Sequence, residues 1–222
     1  DATDSHQLYD SSRGVQKDLQ SDATNAESTT EDGLQKFLKG GQSIEDDVSV
    51  NSEDESYVSW NWVGNSGTTA TNDASSTGVG TIDSTYQVNS TAGFSIVEYT
   101  GTGSAGTIKH GLSVAPSLII VKDRDASTYE WMVYHKSAGA TKYLQLSNTD
   151  ALADLDTIWN DTEPTSTVFS IGTNGSVNTN TNDFIAYCWA EVEGFSKFGK
   201  YTGNGNADGP FVYTGFRPAF LM

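Results

Sequence analysis

Cysteine is almost missing from this chain. Cys188 is the single one among 222 residues, so no disulfide can form within the chain. That excludes the small scaffolds stapled by several bridges. Basic side chains are also scarce: 12 Lys and Arg stand against 29 Asp and Glu, for a net charge of −17. Nucleic acid is therefore not an expected partner, because binding its phosphates takes basic patches that release counterions. Anionic membrane surfaces are disfavoured for the same reason. Histidine occurs three times, at His6, His110 and His135, with no H-E-x-x-H spacing, so that zinc motif is excluded. No apolar run approaches the roughly 18 residues of a membrane-spanning helix, so no membrane insertion is expected. No charged-then-apolar segment opens the chain, and no export signal is visible in it.

What the chain does have is enough apolar surface for a core, with 36% hydrophobic and 11% aromatic residues. Its acidity is concentrated at one end. Residues 1–63 hold 14 acidic and 4 basic side chains, a net of −10. This reads as a solvated, mutually repelling surface. The runs Glu45-Asp46-Asp47 and Glu53-Asp54-Glu55 are dense enough to raise calcium, but neither has the alternating Asp/Asn spacing with glycine of an EF-hand loop. No metal or cofactor is expected.

The chain repeats itself. Gly194-Phe195-Ser196 and Tyr201-Thr202-Gly203 restate Gly93-Phe94-Ser95 and Tyr99-Thr100-Gly101. Near the start, Asp1-Ala2 restates Asp125-Ala126, and Lys17–Gln20 restates Lys142–Gln145. Ser49-Val50-Asn51 restates Ser176-Val177-Asn178, and Tyr57–Trp62 restates Phe184–Trp189. A fixed period marks a repeat architecture, here of about one hundred residues. The expected organisation is 1–63 as the C-terminal half of a module, 64–92 as a connector, 93–193 as a complete module and 194–222 as the N-terminal strands of a further one. The chain reads as cut within a module.

Strand patterns dominate. Tyr57–Trp62 alternates, with Val58, Trp60 and Trp62 on one face. Their counterparts Ile185, Tyr187 and Trp189 share a face of Phe184–Val192, which is apolar on both sides and so predicts a central strand. Phe94–Tyr99, Leu118–Val121, Glu130–His135, Lys142–Leu146 and Val168–Ile171 are further predicted strands, with Tyr201-Thr202 and Phe211–Tyr213 in the last piece. Short helices are predicted at Thr24–Phe37 and at Thr149–Trp159, where Leu152, Leu155 and Ile158 lie three apart. The Gly-, Ser-, Thr- and Asn-rich stretch Gly64–Ala92 reads as flexible or laid along the surface. The fold class is all-β: repeated β-sandwich or jelly-roll-like modules with at most one short helix each.

No stretch points to catalysis. Gly101, Gly103 and Gly106 fit G-x-G-x-x-G after a strand, but Thr107–Gly111 is no helix to receive a pyrophosphate, so a turn is expected. The histidines lack counterparts in the other copies and read as surface or turn residues. Paired carboxylates could come from Asp123, Asp125, Glu130, Asp161, Glu163, Glu191 and Glu193, yet nothing singles out a pair, and Glu191 and Glu193 fit one face of a strand edge. No nucleophile elbow is present. Among Trp60, Trp62, Trp131, Trp159 and Trp189, the copy-matched ones read as core, and Trp131 and Trp159 are open to a sugar-stacking role. Cys188 stands where the other copy has Asn61 and reads as a packing residue. The expectation is no enzyme, with catalytic, cofactor and metal sites all blank and the ligand site unassigned.

The segments DATDSHQLYDS, DRDAS with YHKSAGATKYLQL, YVSWNW, FIAYCWAEVEGF and FGKYTGNGNADGPFVYTGFRPAFLM resemble a repeat family of tailed-phage virion proteins, many of them marine. The resemblance covers nearly the whole chain except 64–92. It implies a tail-fibre, adhesin or other virion-surface role, with other virion proteins, copies of the chain and host surface glycans as partners. A polysaccharide-degrading fibre domain and a capsid decoration protein are the alternatives. Because 1–63 and 194–222 are complementary parts of one module, the second is expected to complete the first, within the chain or between copies.

Overall fold

The computed structural model describes residues 4–222. The pairing of Asp1-Ala2 with Asp125-Ala126 lies outside them. Strands and single-turn helices follow in the order β1 (Gln7–Asp10), β2 (Gly14–Gln20), β3 (Ser28–Thr29), β4 (Leu34–Leu38), β5 (Gly41–Ile44), α1 (Val48–Asn51), β6 (Ala70–Asn72), α2 (Ala74–Thr77), β7 (Ser84–Asn89), β8 (Phe94–Thr100) and β9 (Gly106–Lys109). Then come β10 (Leu118–Asp123), β11 (Met132–His135), β12 (Lys142–Gln145), β13 (Ala153–Asp154), α3 (Asp156–Trp159), β14 (Val168–Ile171), α4 (Gly175–Asn178) and β15 (Asp183–Trp189).

Eight strands form one antiparallel sheet in the order β13-β12-β11-β10-β15-β8-β7-β6. Two meanders, β6–β8 and β10–β13, are joined by β15 in the middle. β15 takes seven residues of register from β8 and six from β10. That explains its sequence: a strand flanked on both edges and covered on both faces reads as a continuous apolar run.

The period of two sorts side chains onto two cores. On one face lie Val97, Tyr99, Ile119, Val121, Phe184, Ala186 and Cys188, covered by Ile108, Phe169 and Ile171 of the β9–β14 pair and by Ile158 and Val177 of α3 and α4. On the other lie Phe94, Ile96, Ile120, Val133, Ile185 and Tyr187. There the cover is the separate three-stranded meander β1-β2-β3, which contributes Leu8 and Leu19. The all-β sandwich class holds. The complete module carries two single-turn helices, α3 and α4, rather than one.

The repeat is visible in the register. β1 pairs β2 with Leu8↔Leu19, and β11 pairs β12 with Val133↔Leu144. β2 pairs β3 at Lys17↔Thr29, matched by Lys142↔Asp154. α1 and α4 match down to the cap: Asp47 accepts from Ser49 N and Asn174 from Ser176 N.

Four expectations need correcting. First, Gly64–Ala92 is no loose connector. β6 and β7 extend the main sheet, and Tyr86 and Val88 pack on its core. A strand near a sheet edge is fixed mainly by backbone pairing, so its sequence needs few apolar positions. Second, no helix covers Thr24–Phe37, where β3 and β4 lie. Thr149–Trp159 shortens to α3, with Leu152 and Leu155 exposed and only Ile158 buried among the three spaced residues. Third, Tyr57–Trp62 forms no strand, and Val58, Trp60 and Trp62 are 76%, 60% and 48% exposed. Ile185 and Tyr187 are buried as expected, while Trp189 is half-buried. Fourth, residues 194–222 contain no strand, and Phe211 and Tyr213 lie in solvent. Completion of residues 1–63 by this piece within the chain is thus not formed. Between the two, Trp60 and Phe220 are in ring contact at 5.9 Å.

Candidate functional site

The glycine motif is a structural turn. Gly101 N donates to Asn182 O and Gly103 N to Asn178 O, while Thr102 N donates to the Asn178 side-chain oxygen. Asn178 Nδ2 returns bonds to Ser104 O and Gly172 O. The amides that would cradle a phosphate are already occupied. A Cβ on Gly101 would collide with the Thr179 carbonyl, which is why glycine stands there. β9 follows instead of a helix.

The histidines do not meet. His110 is fully buried, with Nδ1 accepting from Leu112 N at 3.1 Å and Nε2 facing Thr165 O at 3.2 Å. Burial pushes its pKa down to about 4. His135 Nδ1 accepts from Ser137 N, and His6 is exposed. Cys188 is wholly buried and burial pushes its thiol pKa up.

The carboxylates are scattered and mostly engaged. Asp123 accepts from Asp125 N, Ala126 N and Asn182 Nδ2. Asp125 accepts from Asp183 N, Glu130 from Ser147 Oγ, and Glu163 from Tyr134 Oη and Ala140 N. Glu191 lies past the end of β15 rather than on a strand, and binds Lys136 at 2.6 Å and Lys197 at 3.3 Å. Glu193 is exposed. Asp161 lines a hollow of about 200 Å³ with Asn160 and Gly172. Among the described residues, no group of three or more His, Cys, Asp or Glu could hold a metal ion, and no helix is long and apolar enough to cross a membrane.

The tryptophans divide sharply. Trp131 and Trp159 are buried, which removes both from sugar stacking. Trp131 Nε1 donates to Gln20 O at 2.9 Å, and its ring stacks on Tyr187 at 6.4 Å. From there aromatic contacts run outward: Tyr187 to Trp189 at 6.3 Å, Trp189 to Phe94 at 5.1 Å, and Trp62 to both Trp189 and Phe94 at 6.0 and 6.4 Å. The exposed Trp60, with Phe220 against it, lies beyond. A strip of rings therefore connects the second core to solvent. Large exposed apolar patches mark interaction sites, and this strip is the candidate one.

The whole chain, residues 1–222, matches the model of a family described as Domain of unknown function (DUF7483). The chain belongs to that family. No curated protein and no solved structure matches it.

Sequence reasoning missed a buried charge cluster in this family member. Arg13 Nε donates to Asp10 Oδ2 at 2.5 Å and Nη1 to Glu27 at 3.2 Å. Arg124 binds Glu27 through Nε at 2.9 Å and Nη2 at 3.1 Å, and Glu98 through Nη1 at 2.9 Å. Tyr187 Oη donates to Asp10 at 2.6 Å. Burial works against the charge of Asp10 and Glu27, but Arg13 and Tyr187 together outweigh it at Asp10, and Arg124 and Arg13 together at Glu27, leaving both pKa values lowered. At Glu98 burial outweighs Arg124 and the pKa rises. Nearby, Lys122 is fully buried and its ammonium donates to Thr24 O, Ala126 O and Tyr129 O. Burial pushes its pKa down to about 8, against Asp123 and Glu130. Asp10 and Arg13 are three apart in sequence, but the other side chains they bind, Glu27 and Tyr187, lie 14 and 177 residues away, so no local signal marks them.

Proposed function

We propose that the chain is a non-enzymatic structural and adhesion module of a phage virion, carried on a tail fibre or other surface appendage. Its partners in this reading are copies of itself, other virion proteins and host surface glycans. The observation that carries the reading is the ring strip that reaches solvent at Trp62, with Trp60 exposed beside Phe220; Val58, Phe211, Tyr213 and Leu221 are exposed as well. So much unpartnered aromatic surface suits association better than solvation.

Self-association has a geometric route in this reading. Tyr57–Trp62 is the repeat counterpart of β15, whose neighbours are β8 and β10. Gly194–Met222 repeats those opening strands. The segment 195–222 carries three basic residues and one acidic, opposite in sign to residues 1–63. The first would therefore pair with the second from another copy, head to tail.

The test is a comparison of the parent with a Trp60→Ser, Trp62→Ser variant by light scattering over a concentration series, beside immunogold location of the chain on intact particles. Concentration-dependent assembly lost in the variant, with label on an appendage, is the expected result. A strictly monomeric parent absent from particles would end the proposal. Release of reducing ends from host polysaccharide would turn it toward an enzyme, and label spread over the capsid toward decoration.

A further inference from the structure

We propose that Asp10, Arg13 and Glu27 on the β1–β3 meander, with Glu98, Arg124 and Tyr187 on the main sheet, form a latch that acid opens, freeing the meander from the sheet face it covers.

The meander is held differently from every strand of the main sheet. β10, β15 and β8 exchange ladders of backbone hydrogen bonds, whereas β1–β3 forms a separate sheet. Leu8 and Leu19 are the meander residues that enter the second core. The rest of the attachment is polar. Glu27 N donates to Arg124 O at 2.7 Å, and Ser11 and Ser12 bond the Gln87 side chain. Lys122 donates to Thr24 O, with Asp123 and Glu130 beside it, and the six-residue cluster completes the seam. An element fixed mainly by polar side chains depends on their charges.

Three carboxylates meet two guanidinium groups, so the ionised cluster carries one surplus negative charge. Glu98, where burial raises the pKa, takes the first proton as pH falls, and the cluster is then balanced. The next protons go to Glu27 and Asp10. They leave Arg13, whose side chain is 0% exposed, with Leu8 O and Lys17 O as its remaining acceptors. A buried charge that has lost its counterions is strongly unfavourable and is relieved by water. The meander can admit water by lifting, because no ladder ties it down. The sign follows from the two lowered carboxylates: the latch is whole above the ordinary carboxylate range and is lost as pH falls through their depressed values. Lifting bares Phe94, Ile96, Ile120, Trp131, Val133 and Ile185, an apolar face that adjoins the exposed ring strip.

Hydrogen–deuterium exchange of the whole chain between pH 7 and about pH 2, below the ordinary carboxylate range and expressed as protection factors, tests the latch. The expected result is a loss of about tenfold or more in β1–β3 and at Glu27 N, equivalent to one pK unit of coupling, while β8, β10 and β15 keep their protection. A double variant, Asp10→Asn with Arg13→Met, removes the charge that acid would strand. It is expected to hold the meander to a lower pH than the parent. Loss of protection in meander and sheet at the same pH overturns the proposal, as does a double variant that opens where the parent does. If the double variant does not fold, the parent's profile alone decides.

Discussion

Phe184–Trp189 and Tyr57–Trp62 share a pattern and meet opposite fates. The first is buried between two strands and two cores, with Phe184 and Ile185 at 0% exposure. The second has no ladder among the described residues, and its alternate side chains lie in solvent. Alternation therefore specifies which residues would share a face, but neighbours decide whether a strand exists. The matching meanders, β1–β3 and β11–β13, make the complementary point. Their hairpin partners are close in sequence, and there the repeat produced the same register twice.

The comparison breaks most easily at Phe184. Phe184→Ala should cost about 3–5 kcal/mol in denaturant unfolding, the usual range for a buried aromatic. A loss below 1 kcal/mol on the order expected of surface sites would mean β15 is not the centre of the sheet.

The next test uses a group that only the complete module has. His110 is buried neutral, with its pKa lowered to about 4 from 6.5. The unfolded chain takes up that proton first, so stability should fall as pH drops from about 6.5 to about 4, by on the order of 3 kcal/mol. His110→Gln should flatten this window in pH-dependent melts. A parent already flat between those values would contradict the assignment.

Capping offers a smaller and more direct comparison between copies. Asn174→Ala, at the start of the buried α4, should cost about 1 kcal/mol. Asp47→Ala, before the solvent-facing α1, should cost only a few tenths, since an isolated single turn adds little. Equal losses would show that both copies rest in equivalent surroundings.

The smallest effect on stability belongs to Trp60. Trp60→Ala should change it by no more than about 0.5 kcal/mol. The same variant should weaken self-association in light scattering, and an unchanged assembly would remove the ring strip from the proposed interface.

Much of the complete module was legible in the chain. The strands β8, β10, β11, β12, β14 and β15 follow from alternation or apolar runs, and the turn at Gly101–Gly106 from the missing helix after it. The candidate surface was legible in composition and misread in placement, because Trp60 and Trp62 have the spacing of core residues. The charge cluster was not legible at all, since Asp10 meets Tyr187 across 177 positions and nothing local records the meeting.

By itself the sequence determined the all-β class, the hundred-residue repeat and the strands of the nearby hairpins. These depend on backbone periodicity and short-range hydrogen bonds, which a few adjacent residues specify. Tertiary structure alone decided that β6 and β7 join the main sheet, that the first meander covers its second face, and that Arg124 binds Glu27 and Tyr187 binds Asp10 across that seam. Those outcomes depend on which distant surfaces exclude water together, a property of the folded arrangement rather than of any stretch of chain.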